Sequence, residues 1–233
     1  MRMDEIPLGG GRLTTGVVRV GDTVRRPSSP FTMTLLSHLA EAGFDGAPRY
    51  LGRDELGRDI LSFLPGEVPA KWRAFTDDQV AAAGTLLRGF HDASRGLAGD
   101  TVICHHDPGP NNTVFRDGRP VAFIDFDFAA AGDPLEDVAY LAWSWCISSK
   151  PSRGDAAGQA DQVRVLADAY GLAADQRSGL TDAVVRRLVR NERFWADAPP
   201  VIAGPPPAEV LAWTSTEKAF VTRNRQVFAA ALA

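Results

Sequence analysis

The alternation of hydrophobic and polar positions divides the chain into a strand-rich beginning and a helical remainder. Residues 17–26 read VVRV, then Gly-Asp, then TVRR, and a glycine at the first turn position suits the type II′ turn of a β-hairpin. A helix is predicted over 31–42, where three leucines share one face, followed by strands at 49–52 and 59–64. The segment 65–69, PGEVP, interrupts this pattern with two prolines and a glycine, which indicates a boundary between two parts of the chain.

Beyond this boundary the pattern is helical. Thr76 begins a capping box, Thr-Asp-Asp-Gln, ahead of apolar residues at helical spacing. Asp133 is placed to cap a helix whose first residue is a proline. Further helices are predicted over 155–170, 181–196 and 207–231.

These elements predict an α+β fold in two lobes. A small β-rich lobe covers residues 1–64, a hinge covers 65–69, and a larger helical lobe covers 70–233.

Composition narrows the classes of function. The chain carries 29 acidic and 25 basic residues, a net charge of −4, without a block of like charge. This balance argues against nucleic acid or an anionic membrane surface as a partner. No run of about 20 apolar residues occurs, the first residues lack the apolar stretch of a signal peptide, and Cys104 and Cys146 have no metal-type spacing. We therefore expect a soluble, cytoplasmic protein.

The segment 104–127, CHHDPGPNNTVFRDGRPVAFIDFD, gathers many polar groups around one predicted turn. Asp-Gly at 117–118 is a strong hairpin signal. In the simplest register Asn112 lies opposite Phe123, and Asp125 is its diagonal neighbour at about 7–8 Å.

Side chains alternate along a strand, so the apolar residues between 124 and 128 are expected to face the core while Asp125 and Asp127 face the other way with Asn112. An amide oxygen with one or two carboxylates suits Mg²⁺, which prefers oxygen ligands. Asp107 lies five residues before Asn112 on a loop stiffened by prolines, where it is well placed as a base for an incoming hydroxyl group.

Three short motifs then occur in order: HHDPGPNN at 105–112, IDFD at 124–127 and GDPLED at 132–137. Together they resemble the aminoglycoside phosphotransferase and choline kinase-like family, which has the protein-kinase-like fold. That family carries His-Gly-Asp-x4-Asn, then Ile-Asp-aromatic-acid, then Gly-Asp-Pro-x2-Asp. Each motif alone is weak evidence, and the ordered set is specific.

The resemblance implies roles for the residues of these motifs. Asp107 corresponds to the catalytic base, Asn112 and Asp125 correspond to metal ligands, and Asp127 corresponds to an auxiliary acid near the metal or the acceptor. His105 is expected to help set the loop that carries Asp107. In the third motif, Asp133 is a helix cap, and Asp137 is expected to brace the loop above it.

The implied cofactors are ATP, or another nucleoside triphosphate, and Mg²⁺. Phe63 and Leu64 match the hinge whose backbone holds adenine, and Gly10 and Gly11 belong to a compressed glycine-rich turn. The family usually anchors the nucleotide phosphates with a lysine on the third strand. Here that strand has Arg26 as the expected cleft-facing cation, and a planar guanidinium does not bind phosphate as an ammonium does.

The predicted function is an ATP- and Mg²⁺-dependent phosphotransferase acting on a hydroxyl of a small molecule, such as an aminoglycoside-like antibiotic, an amino alcohol or a sugar. Two alternatives stay open. A kinase-like binding protein with weak or no catalysis is favoured by the missing lysine, and the stretches VRVGDTVRRP and GFDGAP resemble a subgroup linked to trifolitoxin immunity. A histidine–aspartate metal phosphohydrolase is disfavoured because no two histidines are spaced i, i+4.

Overall fold

The computed structural model describes residues 4–9, 14–70, 73–197 and 204–233. The first part of the chain forms an antiparallel five-stranded sheet with strand order β1-β2-β3-β5-β4. Its strands are β1 (Ile6–Pro7), β2 (Val18–Val20), β3 (Thr23–Arg26), β4 (Tyr50–Arg53) and β5 (Asp59–Ser62).

The predicted hairpin at 17–26 is confirmed. Val20 pairs with Thr23, and the turn residue Gly21 has φ +58°, which glycine adopts without steric cost. The helix α1 (Pro30–Glu41) follows and begins at Ser29, whose side chain accepts a hydrogen bond from the backbone N–H of Thr32.

The remainder is largely helical. It contains the helices α2 (Asp77–Ala93), α3 (Pro134–Leu141), α4 (Ala156–Tyr170), α5 (Ala174–Ala196), α6 (Pro207–Arg223) and α7 (Arg225–Leu232). Four short strands lie between α2 and α3, namely β6 (Val102–Cys104), β7 (Thr113–Arg116), β8 (Arg119–Phe123) and β9 (Ala130–Gly132). The predicted α+β fold is therefore confirmed, and no helix in the described residues is long and apolar enough to cross a bilayer.

Two helix predictions were wrong in extent. The helix predicted over 181–196 begins at Ala174. Its first turns were missed because they are polar and carry no apolar period. The side chain of Gln176 caps the helix start by accepting from the N–H of Ala173. The helix predicted over 207–231 is two helices. They meet at Asn224, whose side-chain amide donates to the Phe220 carbonyl, a local bond that competes with the helical ladder.

Both tryptophans of the 142–146 segment belong to the core. Ala142–Cys146 is a π-helical turn, and Trp143 and Trp145 are 1% and 0% exposed. Trp143 stacks on Trp213 with ring centroids 5.3 Å apart. Trp145 stacks on Phe115 and donates to the Pro108 carbonyl at 3.3 Å, which supports the loop that carries Asp107.

The segment predicted as a hinge is joined to the hairpin β7–β8. Glu67 and Phe115 exchange backbone hydrogen bonds of 2.9 and 2.7 Å. Gly66 beside them has φ +152°, and a Cβ there would lie 2.4 Å from the Phe115 carbonyl oxygen. Only glycine fits at this position. The lobe boundary predicted at 65–69 stays a prediction.

Candidate active site

The loop after β6 is held from beneath by one buried carboxylate. Asp137, which is fully buried, accepts backbone N–H bonds from His105 at 2.6 Å and His106 at 2.8 Å. His91 Nε2 lies 3.1 Å from the same carboxylate, while Tyr170 lies 2.8 Å from His91 Nδ1. The predicted brace by Asp137 is confirmed, and His91 takes part in it.

His105 links the loop to the neighbouring strand end. Its ring is fully buried, with Nε2 3.0 Å from the Ile124 carbonyl oxygen, and Nδ1 accepts from the Asp107 N–H at 3.4 Å. An imidazole protonated only on Nε2 satisfies both contacts. His105 therefore sets the position of Asp107, as expected, through the backbone.

His106 adopts a conformation that glycine normally supplies. Its φ is +63°, in the left-handed region that costs a non-glycine residue of this kind about 1 kcal/mol or more. The family that the motifs resemble carries glycine where this chain has His106, and glycine adopts this conformation without that cost. Burial lowers the pKa of His106, and the positive charges of Arg190 and Arg187 lower it further, against an opposite effect from Asp137.

Both carboxylate oxygens of Asp107 are hydrogen-bonded. Tyr140 donates its hydroxyl to Oδ1, and the side-chain amide of Asn112 donates to Oδ2 at 2.9 Å and to the Asp107 backbone carbonyl at 3.0 Å. The Asn112 nitrogen therefore faces Asp107, and its Oδ1 faces away and accepts from Asn111 at 3.1 Å. The predicted neighbourhood of Asp107 and Asn112 is present.

The predicted register of the hairpin was wrong by one residue. Phe123 lies opposite Thr113, and the Ile124 N–H donates to the Asn112 carbonyl at 2.9 Å. The turn at 117–118 is as predicted, but the ladder shifts near Pro120, which has no N–H to donate and so favours an irregular pairing.

The alternation predicted beyond Ile124 was also wrong, because β8 ends at Phe123. Asp125 has φ +64°, a left-handed conformation that breaks the strand and turns the next residues away. Phe126 is 2% exposed, whereas Phe128, expected on the same buried face, is 44% exposed. The acids at 125 and 127 are presented by a turn.

Two carboxylates meet one buried arginine. Arg26 is 7% exposed; its guanidinium bonds Asp127 Oδ1 and lies 3.8 Å from Asp125 Oδ1. Thr14 donates to the other oxygen of Asp127 at 2.8 Å. Burial raises the pKa of Asp125 to about 6, assisted by the charges of Asp127 and Asp107 and opposed by Arg26 and His105. Crowded carboxylates of this kind suit a cation.

A cleft of about 500 Å³ lies between the sheet and the helical part. Arg26, Asn112 and Asp125 line it together with Phe63 and Leu64, and so do apolar side chains including Val24 and Leu61. The structure thus brings together all predicted metal and nucleotide residues that it describes. Gly10 and Gly11 lie outside the described residues.

A second group of ligand-type side chains is already satisfied internally. His91, Cys104 and Asp137 bring ligand atoms within 4.8 Å of one another and are buried. The Cys104 thiol donates to the Asp133 carbonyl at 3.3 Å, burial raises its pKa far above the usual range, and His91 and Asp137 bond each other. A hydrogen-bonded brace accounts for this group, which leaves little support for a histidine–aspartate metal hydrolase.

Comparison with known proteins gives two kinds of likeness in sequence. Residues 92–174 match the model of the phosphotransferase enzyme family APH. The trifolitoxin immunity protein of Rhizobium leguminosarum bv. trifolii is 34% identical over 265 aligned positions, which cover 99% of each chain. The chain belongs to the APH phosphotransferase family.

Solved structures agree on the fold of this family member. A choline/ethanolamine kinase family protein from Mesorhizobium loti has a TM-score of 0.62 at 16% identity, with 98% of this chain and 92% of that chain covered. A spectinomycin phosphotransferase solved with ADP and spectinomycin has a TM-score of 0.61 at 10% identity, with 96% and 93% covered. These likenesses establish a kinase-like APH fold.

Proposed function

We propose that this family member is an ATP- and Mg²⁺-dependent phosphotransferase that transfers the γ-phosphoryl group to a hydroxyl of a small molecule. One observation carries the proposal. Asn112 bonds the carboxylate of Asp107 at 2.9 Å and also lines the cleft that contains Asp125 and Arg26. The proposed base thus lies next to the groups proposed to bind the metal ion and the phosphates, as phosphoryl transfer requires.

Asp107 is the base in this scheme. It accepts the proton of the acceptor hydroxyl as the acceptor oxygen bonds to the γ-phosphorus and the bond from that phosphorus to the bridging oxygen of ADP breaks. Tyr140 and Asn112 hold the two oxygens of the carboxylate in place, so its orientation is set before the acceptor arrives.

The donor set fits a hard divalent cation. Asn112 presents an amide oxygen away from Asp107, and Asp125 adds a carboxylate surrounded by other negative charges. These two residues would hold Mg²⁺, which when bound neutralises phosphate charge.

The phosphates and the adenine are assigned to the small lobe. Arg26 binds phosphate oxygens in place of the usual lysine, after its guanidinium exchanges Asp127 and Asp125 for the nucleotide. The backbone at Phe63 and Leu64, ahead of the proposed hinge at 65–69, binds the adenine edge, and Gly10 and Gly11 keep their predicted nucleotide-binding role. ADP in the spectinomycin phosphotransferase supports a nucleotide in this fold.

A second candidate function is immunity to a toxin by binding, favoured by the 34% identity to the trifolitoxin immunity protein. In that case the cleft binds its ligand without transferring phosphate. The presence of Asp107 bonded to Asn112, which lines one cleft with Asp125, supports catalysis, because binding alone does not require all three.

An ATP-consumption screen with aminoglycosides, macrolides, amino alcohols, sugars and hydroxylated acids tests the proposal. We expect at least one class to raise Mg²⁺-dependent ATP consumption about tenfold or more above the rate without acceptor. Binding of ADP and Mg²⁺ is measured on the same preparation by calorimetry. A protein that does not bind nucleotide with Mg²⁺ at millimolar concentration, and whose ATP consumption none of these acceptors raises, would support the immunity function instead.

A further inference from the structure

Three side chains of α5 form a wall beside the Asp107 loop. Arg187, Arg190 and Phe194 are spaced i, i+3 and i+7, so they share one face of the helix. Each contacts a different part of the active site: Arg187 the ring of Tyr140, Arg190 the ring of His106, and Phe194 the ring of Phe128. We call these three residues the α5 wall.

Arg187 is the member nearest the base. Its guanidinium carbon lies 4.4 Å from the centroid of the Tyr140 ring, and the hydroxyl of that tyrosine bonds Asp107. Its Nε is buried and has no hydrogen-bond partner among the residues that the structure describes. A buried donor that stays unpaired costs free energy, so a bound molecule that supplies a hydrogen-bond acceptor would stabilise this arginine.

The described residues give the charge of Arg187 no counter-ion at ion-pair distance. Among the described residues no carboxylate lies within ion-pair distance of its guanidinium, and the remaining residues, at 1–3, 10–13, 71–72 and 198–203, include no acid. The nearby carboxylates are otherwise engaged, since Asp107 bonds Tyr140 and Asn112 while Asp127 bonds Arg26.

The rest of the wall adds a paired cation and an apolar edge. Arg190 forms an ion pair with Glu136 and reaches His106 Nδ1 at 3.4 Å. Phe194 and Phe128 pack edge to face at 5.8 Å and are 37% and 44% exposed, which is high for large aromatic side chains. The wall and the adjacent Phe128 therefore present two exposed rings beside a guanidinium that no described carboxylate pairs with.

We propose that the acceptor carries an anionic group, a carboxylate or a phosphate, that binds Arg187, and an apolar portion that packs on Phe128 and Phe194. This deepens the proposed function and rests on it. The anion takes the edge of the guanidinium not covered by Tyr140, which brings a hydroxyl of the same molecule toward Asp107. A polycationic antibiotic is a poor acceptor, since it would bring positive charge against Arg187.

Matched pairs of probes separate this proposal from non-specific binding. N-acetyl-L-serine is compared with its neutral amide, and glycerol 3-phosphate with glycerol, so that each pair keeps the hydroxyl and differs in the anion. Kanamycin is the polycation. Binding is measured by calorimetry in wild-type protein, Arg187→Gln, Arg187→Lys and the control Arg186→Gln, with and without ADP and Mg²⁺. Arg186 is exposed and adjacent in sequence but lies off the wall.

We expect the anionic member of at least one pair to bind wild-type protein about tenfold or more tightly than its neutral partner. The preference is lost in Arg187→Gln, partly restored in Arg187→Lys and unchanged in Arg186→Gln. The pair of probes that shows the preference identifies the anionic group as a carboxylate or a phosphate. Equal or absent binding of both members of both pairs, a preference that survives Arg187→Gln, or tightest binding by kanamycin would overturn the proposal. Because ADP binding is read separately, failure of nucleotide binding would refute the proposed function without deciding the anion result.

Discussion

Asp107→Asn is expected to lower phosphoryl transfer by a factor of about 10²–10⁴, because an amide cannot accept the proton of the acceptor hydroxyl. The substitution keeps the shape of the side chain, and the hydroxyl of Tyr140 can still donate to its remaining oxygen. Affinity for ADP with Mg²⁺ should therefore stay within about twofold, since removal of a base acts on the chemical step. Single-turnover kinetics and calorimetry measure the two quantities.

Asp117→Asn is the matched control for that substitution. Asp117 lies at the exposed tip of the same hairpin with φ +50°, a conformation that asparagine tolerates well. Its rate should equal that of the wild-type protein. Asp107→Asn protein that folds normally and transfers phosphate at an undiminished rate would show that another group is the base.

Asp137→Ala is expected to lower the free energy of unfolding by about 3–5 kcal/mol. The substitution leaves the backbone N–H groups of His105 and His106 buried without an acceptor, and it removes the partner of His91. The loop that carries Asp107 should loosen with it. Denaturant unfolding followed by circular dichroism measures the loss.

Asp133→Ala provides the comparison on the same helix. Asp133 is an exposed N-cap of α3 whose carboxylate accepts from the Leu135 N–H at 2.9 Å, and loss of such a cap costs about 1 kcal/mol. If the two substitutions destabilise the protein equally, Asp137 is not the brace that the contacts indicate.

The pH dependence of stability gives an independent reading of the same carboxylate. Burial alone would raise the pKa of Asp137, but the hydrogen bond from His91 and the charges of nearby histidines outweigh it, so the pKa lies below its usual range. A depressed pKa contributes stability above the unfolded value of about 4, and that contribution is lost as the pH falls through the folded pKa. Asp137→Ala protein should lack this part of the acid-induced loss.

The local part of the site was predictable because its signals are short-range. The Asp-Gly turn, the proline-rich loop and the Asp133-Pro134 helix start each depend on backbone preferences of neighbouring residues. They bring Asp107 and Asn112 together, whereas the brace by Asp137, 32 positions after His105, was expected only from the resemblance of the third motif. The hairpin pattern at 17–26 likewise put Arg26 on the same face as Val24, and both line the cleft.

The errors arose where one residue alters a regular pattern. Proline at 120 disturbs the ladder, and the left-handed backbone at Asp125 ends the strand, so a rule of strict alternation placed Phe128 on the wrong face. A proline within a predicted strand was a signal for an irregular pairing, and it could have been used.

Contacts between distant helices could not be read from the sequence. Tyr140 bonds Asp107 because α3 passes beneath the loop, although its position one turn after Asp137 was a usable hint. Arg187 reaches the site only because α5 packs along α3, and one arginine among many offers no local signal. Thr14 and Asp127 are 113 positions apart and meet through the packing of the sheet against the helical part.

Magnesium-dependent binding of a non-hydrolysable ATP analogue to wild-type protein and to Asp125→Ala tests the central claim most directly. The account predicts that Mg²⁺ tightens binding to the wild-type protein by about tenfold or more, and that the Asp125→Ala protein binds the analogue with the same affinity with or without Mg²⁺. Equal tightening by Mg²⁺ in both proteins, or no binding by the wild-type protein at millimolar analogue, would contradict it.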